Sequence, residues 1–405
     1  MLQVADSRDI VFTCDDKSHL VAFDDVMLSY LSSKVDTMSK LKALTTTSNM
    51  PMAHCLTGYM MKMASDPRSN PSVESSLKTL GELTLNQREE QHRDVLSLWA
   101  QEKDTDALTK LEALLDDYPQ DMLALRIAHH LHFYTGNSNS LCESVRKRLP
   151  SWSKDDPLYG FLLGMLAFGL EESGEYRDAE HAGRDACERN PDDLWAAHAV
   201  MHVMQMNGRW VDGVQFASDV LSGWSGTNNF VYHLHWHKAL LQIGRRDYDA
   251  ALAIYDAHLA RVLDDDFYLD ACNAASLLWR LQLAGMDVGQ RWLTLAERFN
   301  HRCADQELVF ASLHYLMAPA QIGDERTIDA ALESFESWSS GASSQGQVAA
   351  KIGRDLAYAL VQTARGDDRG PETIERLRQA LPAIGGSWAQ RELFKQLTGT
   401  PVRVV

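Results

Sequence analysis

The chain has little that signals catalysis by a standard device. There is no G-x-S-x-G elbow, no P-loop and no G-x-G-x-x-G after a strand pattern, so the common serine-hydrolase, nucleotide-triphosphate and dinucleotide sites have no carrier here. Its six cysteines (Cys14, Cys55, Cys142, Cys187, Cys272, Cys303) stand singly. With no C-x-x-C pair there is no zinc ribbon and no dithiol redox motif. Several lie in apolar helical stretches, where a free thiol behaves as a small hydrophobe, and this pattern suits a reducing compartment. Basic clusters are missing too: the densest, Arg146-Lys147-Arg148, is three residues long, and the net charge is −17. Nucleic acid is therefore not an expected partner, because phosphate backbones need grouped Lys and Arg. The start, Met1-Leu2-Gln3-Val4-Ala5-Asp6, lacks the basic and apolar regions of a signal peptide. The longest apolar run, Pro157 to Leu170, falls short of the ~20 residues of a membrane span. A cytoplasmic protein with no membrane partner is the expectation.

Alternating β-branched runs are also scarce. What fills the 405 residues is Ala, Leu, Met, Glu and Arg at helical spacing, 45% apolar and 23% charged, with Gly and Pro between the periodic stretches. The fold class expected is all-α. In the middle, Gly174, Tyr176, Ala179, Ala186 and Pro191 follow G-x-Y-x-x-A-x6-A-x4-P, the tetratricopeptide pattern for an inter-helix turn, a second helix and its closing proline. Gly208 with Trp210 and Gly213 repeats the frame 34 residues on (208 − 174). Gly244 with Tyr248 and Ala251 gives a third turn. Small residues let paired helices approach, an aromatic fills the wedge, and proline stops the second helix. Because one pair cannot bury its apolar face alone, such units stack. Degenerate units flank the centre, closed at Tyr118-Pro119 and Leu149-Pro150 and turning at Gly323-Asp324 and Gly366-Asp367-Asp368. The expected architecture is one continuous domain over residues 1–405, a strongly curved or closed superhelix of hairpin repeats, clearest over 157–260. Residues 1–20, Ser65 to Ser76 and Ser337 to Ser344 read as irregular. Gly385-Gly386-Ser387 reads as a tight turn with Ser387 capping the last helix.

Two H-x-x-x-H pairs, His198/His202 and His233/His237, lie in consecutive repeat units. Residues four apart share one helix face, so each pair presents two imidazoles to one point, as metal-binding helices do. Ala199 and Leu234 stand where a zinc protease carries Glu, which removes that reading. Polar residues embedded in apolar helices (Glu171-Glu172, Asp270, Asn273, Arg280) imply either buried ion pairs or a polar cavity walled by Trp195, Trp210, Trp236, Trp279 and Tyr255. The cluster His129-His130-Leu131-His132 reads as groove lining or partly exposed.

The segments Gly164 to Glu172, Trp195 to His202, Trp236-His237-Lys238-Ala239-Leu240, Ile254-Tyr255-Asp256, Ser312-Leu313-His314 and Ile384 to Phe394 resemble the tetratricopeptide-repeat-protein-38 family. Gly58-Tyr59, Arg88-Glu89 with His92, and Phe133 to Gly136 are similar to it as well. The resemblance spans nearly the whole chain and implies a closed α-helical superhelix without bringing an established activity. Two positions depart from the family pattern: Gln205 stands where a Glu is usual, and His235 where Trp is usual.

Two functional expectations follow. The first is a binding protein that holds a peptide, protein or small molecule in a concave groove or central cavity at His198, His202, His233, Trp236, His237, Asp256 and His314, with no cofactor. The second is a small-molecule enzyme with His202, His237 and Glu172 as acid–base groups, or with a divalent transition metal on His198, His202 and His237. A homodimer through the terminal repeats is a further possibility.

Overall fold

The computed structural model describes residues 1–399, and they form two compact units. The first comprises Met1–His132, Ser138–Val200 and Trp224–Asn228; the second comprises Phe133–Asn137, Met201–Gly223 and Asn229 onward. The helices Met122–Tyr134 and Leu194–Met206 each run from one unit into the other.

The described residues are all-α apart from one strand pair. Among the described residues, no helix is long and apolar enough to cross a membrane. The strands Leu2–Ala5 and Val11–Cys14 pair antiparallel, Leu2 opposite Cys14, so the expectation of an irregular N-terminus is corrected. Thr13 N–H donates to Glu89 Oε1 at 2.8 Å, and Glu89 also completes a capping box with Asn86 at the start of the helix Gln87–Ala100. A short strand that borrows its anchor from a residue 76 positions away leaves no local signal. Residues from Pro67 are likewise ordered, as a 3-10 turn Pro67–Ser69 leading into the helix Asn70–Glu82. Ser337 to Ser344 holds a turn between the helices Glu325–Trp338 and Ser344–Val348.

In the first unit, every residue of the helix Tyr159–Glu172 is buried. Its partner Tyr176–Arg189 is amphipathic and presents Ala179, Ala182, Gly183 and Ala186 inward. A Cβ on Gly183 would stand 2.7 Å from Val200 Cγ2, so helices meet there at glycine distance. Deeper in the unit, Asp121 accepts from Arg88 Nη1 at 2.6 Å and bonds His92 Nε2 at 2.9 Å, all three residues buried. Tyr59 OH meets His92 Nδ1 at 3.1 Å. Removing one partner of such a group strands a buried charge, typically at about 3–5 kcal/mol.

In the second unit, the helices Phe230–Gly244, Tyr268–Leu283, Val309–Ile322 and Arg354–Ala364 carry much of the apolar core. The segment Phe133–Asn137 locks against the C-terminal part of this unit. A Cβ on Gly136 (φ +67°) would fall 1.6 Å from Pro382 O, and one on Gly385 (φ +80°) 2.5 Å from Tyr134 O. Tyr134 OH and Tyr268 OH lie 3.1 Å apart beside this joint. Ser387 caps the helix Trp388–Gln396.

A left-handed corner recurs along the chain, at Ser33, Ser65, Glu102, Gly136, Gly174, Gly208, Arg246, Gly285, Gly323 and Gly366. Successive corners stand 32 to 43 residues apart (65 − 33; 366 − 323). At Gly174 the corner N–H bonds Glu171 O and the next N–H bonds Leu170 O; at Gly208 the acceptors are Gln205 O and Met204 O. Both are Schellman closures of a preceding helix, so Gly174 and Gly208 occupy equivalent corners. The third corner is Arg246, with acceptors Ile243 O and Gln242 O, rather than Gly244. Gly244 is the last residue of its helix, and its missing Cβ admits the Trp210 ring, which a Cβ would meet at 2.4 Å.

Candidate metal centre

The second unit brings three of the flagged imidazoles together. His202 is on the helix Leu194–Met206, His233 and His237 on the helix Phe230–Gly244. His233 and His237 lie one turn apart, with their rings edge to face at 4.7 Å between centroids. The His202 and His237 centroids are 4.4 Å apart. Each of the three offers a ring nitrogen within 4.8 Å of the others'. All are buried, His202 and His237 at 0% exposure and His233 at 3%. Burial pushes the His233 imidazole down to about 3, so it is neutral near pH 7 and able to act as a ligand rather than a cation.

The partners on the far side of the rings decide which nitrogen carries the proton. His233 Nδ1 lies 2.9 Å from Asn273 Oδ1, and His237 Nδ1 lies 3.1 Å from Gln205 Oε1. A carbonyl oxygen only accepts, so each Nδ1 must donate. Both Nε2 atoms then carry lone pairs, and they face each other at 3.2 Å. Two lone pairs at that separation repel unless a cation lies between them. Two nitrogens bound 2.0–2.1 Å from a tetrahedral zinc ion sit about 3.3 Å apart. Outer carbonyls that fix the tautomer and leave Nε2 for the ion are the usual second layer of a metal-binding histidine. With His202, the donor set is three imidazoles, which suits Zn, Cu, Ni or Fe.

Trp236 stacks on His233 (14° between planes, 5.1 Å), and its Nε1 donates to Ser276 Oγ at 2.9 Å. It therefore walls the site and holds the His233 ring. The helix Tyr268–Leu283 supplies both Asn273 and Ser276. Sequence reasoning named Asn273 only as an embedded polar residue and Gln205 only as a departure from a family pattern; their roles in orienting imidazoles emerge from packing.

Asp256 and His314, also flagged, have other partners. Asp256 faces outward and forms a two-point ion pair with Arg291 at 2.8 and 2.6 Å. The π-helical turn Tyr255–Leu259 buries Tyr255 and turns Asp256 out. His314 donates from Nδ1 to Phe310 O at 2.7 Å and packs on Phe310 and Phe394, with burial taking its imidazole down to about 4. His235 stacks on His258 at 3.6 Å on the half-buried side of its helix. His198 and Glu172 belong to the first unit: His198 stacks on Phe168 and Trp195, and Glu172 Oε2 accepts from Ser138 Oγ at 3.5 Å. Of His129, His130 and His132, read as groove lining or partly exposed, His129 and His132 are buried in the first unit and His130 is half-buried. His129 Nε2 accepts from Trp195 Nε1, His130 stacks on the same indole, and His132 bonds Glu112. Among the described residues all six cysteines are free thiols.

No family model matches the chain.

Proposed function

We propose that the protein binds one divalent transition-metal ion, zinc by donor chemistry, on His202, His233 and His237, and uses it on a small molecule. Three protein ligands with a fourth position for water or substrate is the arrangement of catalytic rather than structural zinc. Bound there, the ion would lower the pKa of its water or polarise a substrate oxygen. The carrying observation is the pair of amide carbonyls, Asn273 Oδ1 and Gln205 Oε1, that leave two Nε2 lone pairs facing each other at 3.2 Å. Burial of all three imidazoles favours an ion or small molecule over an extended peptide, so of the two functional expectations the metal-dependent one is preferred.

The scaffold we propose is a stack of tetratricopeptide-type helix hairpins. The recurring left-handed corners, the glycine-distance helix pairs and the resemblance to the tetratricopeptide-repeat-protein-38 family support it.

Elemental analysis of protein purified without chelators tests the metal reading. About one equivalent of zinc, copper, nickel or iron per chain is expected, lost in His237→Ala. A metal-free protein that also fails to take up zinc on titration ends it.

A further inference from the structure

Asn229 immediately precedes the helix Phe230–Gly244 yet makes no side-chain cap for it. Its amide ties that helix to its neighbours instead: Nδ2 donates to Asp270 Oδ2 at 2.7 Å and to Asp265 Oδ2 at 2.9 Å. The Asp270 contact is the first rung of a ladder. Along the helix Tyr268–Leu283, Asp270, Asn273 and Ser276 meet Asn229, His233 and Trp236 in turn. The offsets are 41, 40 and 40 residues, so the two helices run parallel and in register. Of the three rungs on the second helix, Asp270 alone is titratable.

Two carboxylates thus converge on one amide nitrogen. Asp265 is exposed, whereas Asp270 is 1% exposed and its Oδ1 is buried without a partner among the described residues. A buried carboxylate with one neutral donor and a like charge beside it is costly. Burial raises the Asp270 carboxyl to about 7; the Asn229 bond opposes the rise and the Asp265 charge adds to it. The cations of the adjoining turns are already engaged, Arg302 by Asp266 and Asp305, and Arg298 by Asp264. Cys272, two residues along the same helix, is held protonated by burial. At pH 7 about half of the folded molecules therefore carry a proton on Asp270. Asn229 stands six residues before the midpoint of His233 and His237 (235 − 229), about 9 Å along the helix. A doubly charged ion at that range, through an effective dielectric constant near 20, lowers the proton affinity of a carboxyl by about a hundredfold.

We propose that the metal site is proton-coupled: an ion entering on His202, His233 and His237 drives the proton off Asp270, and acid drives the ion out by restoring it. The inference rests on the metal reading above. The Asp270 O–H bond breaks, the carboxylate keeps the electron pair, and the proton leaves to solvent past the exposed Asp265. The coupling is reciprocal, so whatever the ion does to the proton the proton does to the ion.

Titration calorimetry of zinc into the full chain, repeated in buffers of different ionisation enthalpy, counts the protons released. Asp270→Asn keeps an acceptor for Asn229 and stands for the neutral acid. The parent should release about 0.5 proton more per ion than this variant at pH 7, and about 0.8 more at pH 6. A zinc-bound water that ionises contributes alike in both and cancels. Between pH 8 and pH 6 the zinc affinity of the parent should fall about tenfold further than that of Asp270→Asn. Metal-free chains test the proton separately. A carboxyl raised on folding adds stability at low pH that is lost as pH rises through 7. Urea melts at pH 6 and pH 8.5 should therefore show a smaller loss in Asp270→Asn than in the parent. Equal losses overturn the proton on Asp270. Equal proton release by parent and variant overturns the coupling and leaves the metal reading intact, whereas a chain that takes up no zinc ends both.

Discussion

Asn273→Leu isolates the role of a single carbonyl oxygen. The substitution keeps a side chain of similar volume but removes the acceptor 2.9 Å from His233 Nδ1. His233 is then able to carry its proton on Nε2, where it donates to the His237 lone pair 3.2 Å away and occupies the space an ion would take. Loss of such an outer partner typically lowers metal affinity about 10–100-fold, or about 1.4–2.7 kcal/mol. The competing His233–His237 hydrogen bond places the expected loss toward the upper end. Gln205→Leu should act the same way through His237. Because either change relieves the one lone-pair clash, the double variant should lose less than the product of the two single losses. The assay is competition for zinc against a chromophoric chelator at pH 7.5, with each variant's fold verified by circular dichroism. Unchanged affinity in both single variants, alongside a His237→Ala variant that no longer binds, would refute the tautomer argument while sparing the site. Unchanged affinity in all three refutes both.

Acid should destabilise the metal-free protein across a defined window. His233 is held down to about 3 by burial against an ordinary value of 6.5, so its contribution is intact above pH 6.5. It is lost as pH falls toward 3, because only the unfolded chain takes the proton. Urea melts at pH 7.5, 5.5 and 4.5 should show a shallower loss in His233→Leu than in the parent. Asp193 runs the other way: burial raises it to about 7 despite the Trp195 and Ala196 N–H groups on its Oδ1, and its Oδ2 is buried without a partner among the described residues. Stability from this group is present below pH 3.8 and is lost as pH rises through 7. Asp193→Asn, which keeps the capping oxygen, should therefore stabilise the protein at pH 8, by a few kcal/mol at most, and a melt at that pH that shows no gain contradicts the sign. Gly136→Ala should unfold or cripple the second unit, since its Cβ would overlap Pro382 O. Gly174→Ala, at φ +82° with nothing within 4 Å, should cost only about 1–2 kcal/mol. Equal losses in denaturant melts of the two variants would contradict that distinction.

The helical class and the corners at Gly174 and Gly208 were legible because glycine at positive φ and proline after a helix leave composition marks. The corners at Ser33, Ser65, Glu102 and Arg246 left none, since those side chains do not favour the left-handed region. Hence Gly244 drew the third turn two residues early. The pair His233/His237 could be read from one helix alone. Asn273 and Gln205 could not: they lie 40 and 32 residues from their imidazoles, and only the packing of successive helices sets that register. Asp256, on the exposed side of the π turn Tyr255–Leu259, pairs with Arg291, a partner 35 residues away that no local period shows.

The joint between Gly136 and Pro382 joins positions 246 residues apart (382 − 136). On the ribosome, Phe133 to Asn137 emerges long before its mate, so this part of the protein has no complete form until the segment around Pro382 has been made. Termination before codon 382 would leave Phe133 to Asn137 without its mate. Such loops are slow to close, and a nascent chain waiting in that state is a natural client for a chaperone.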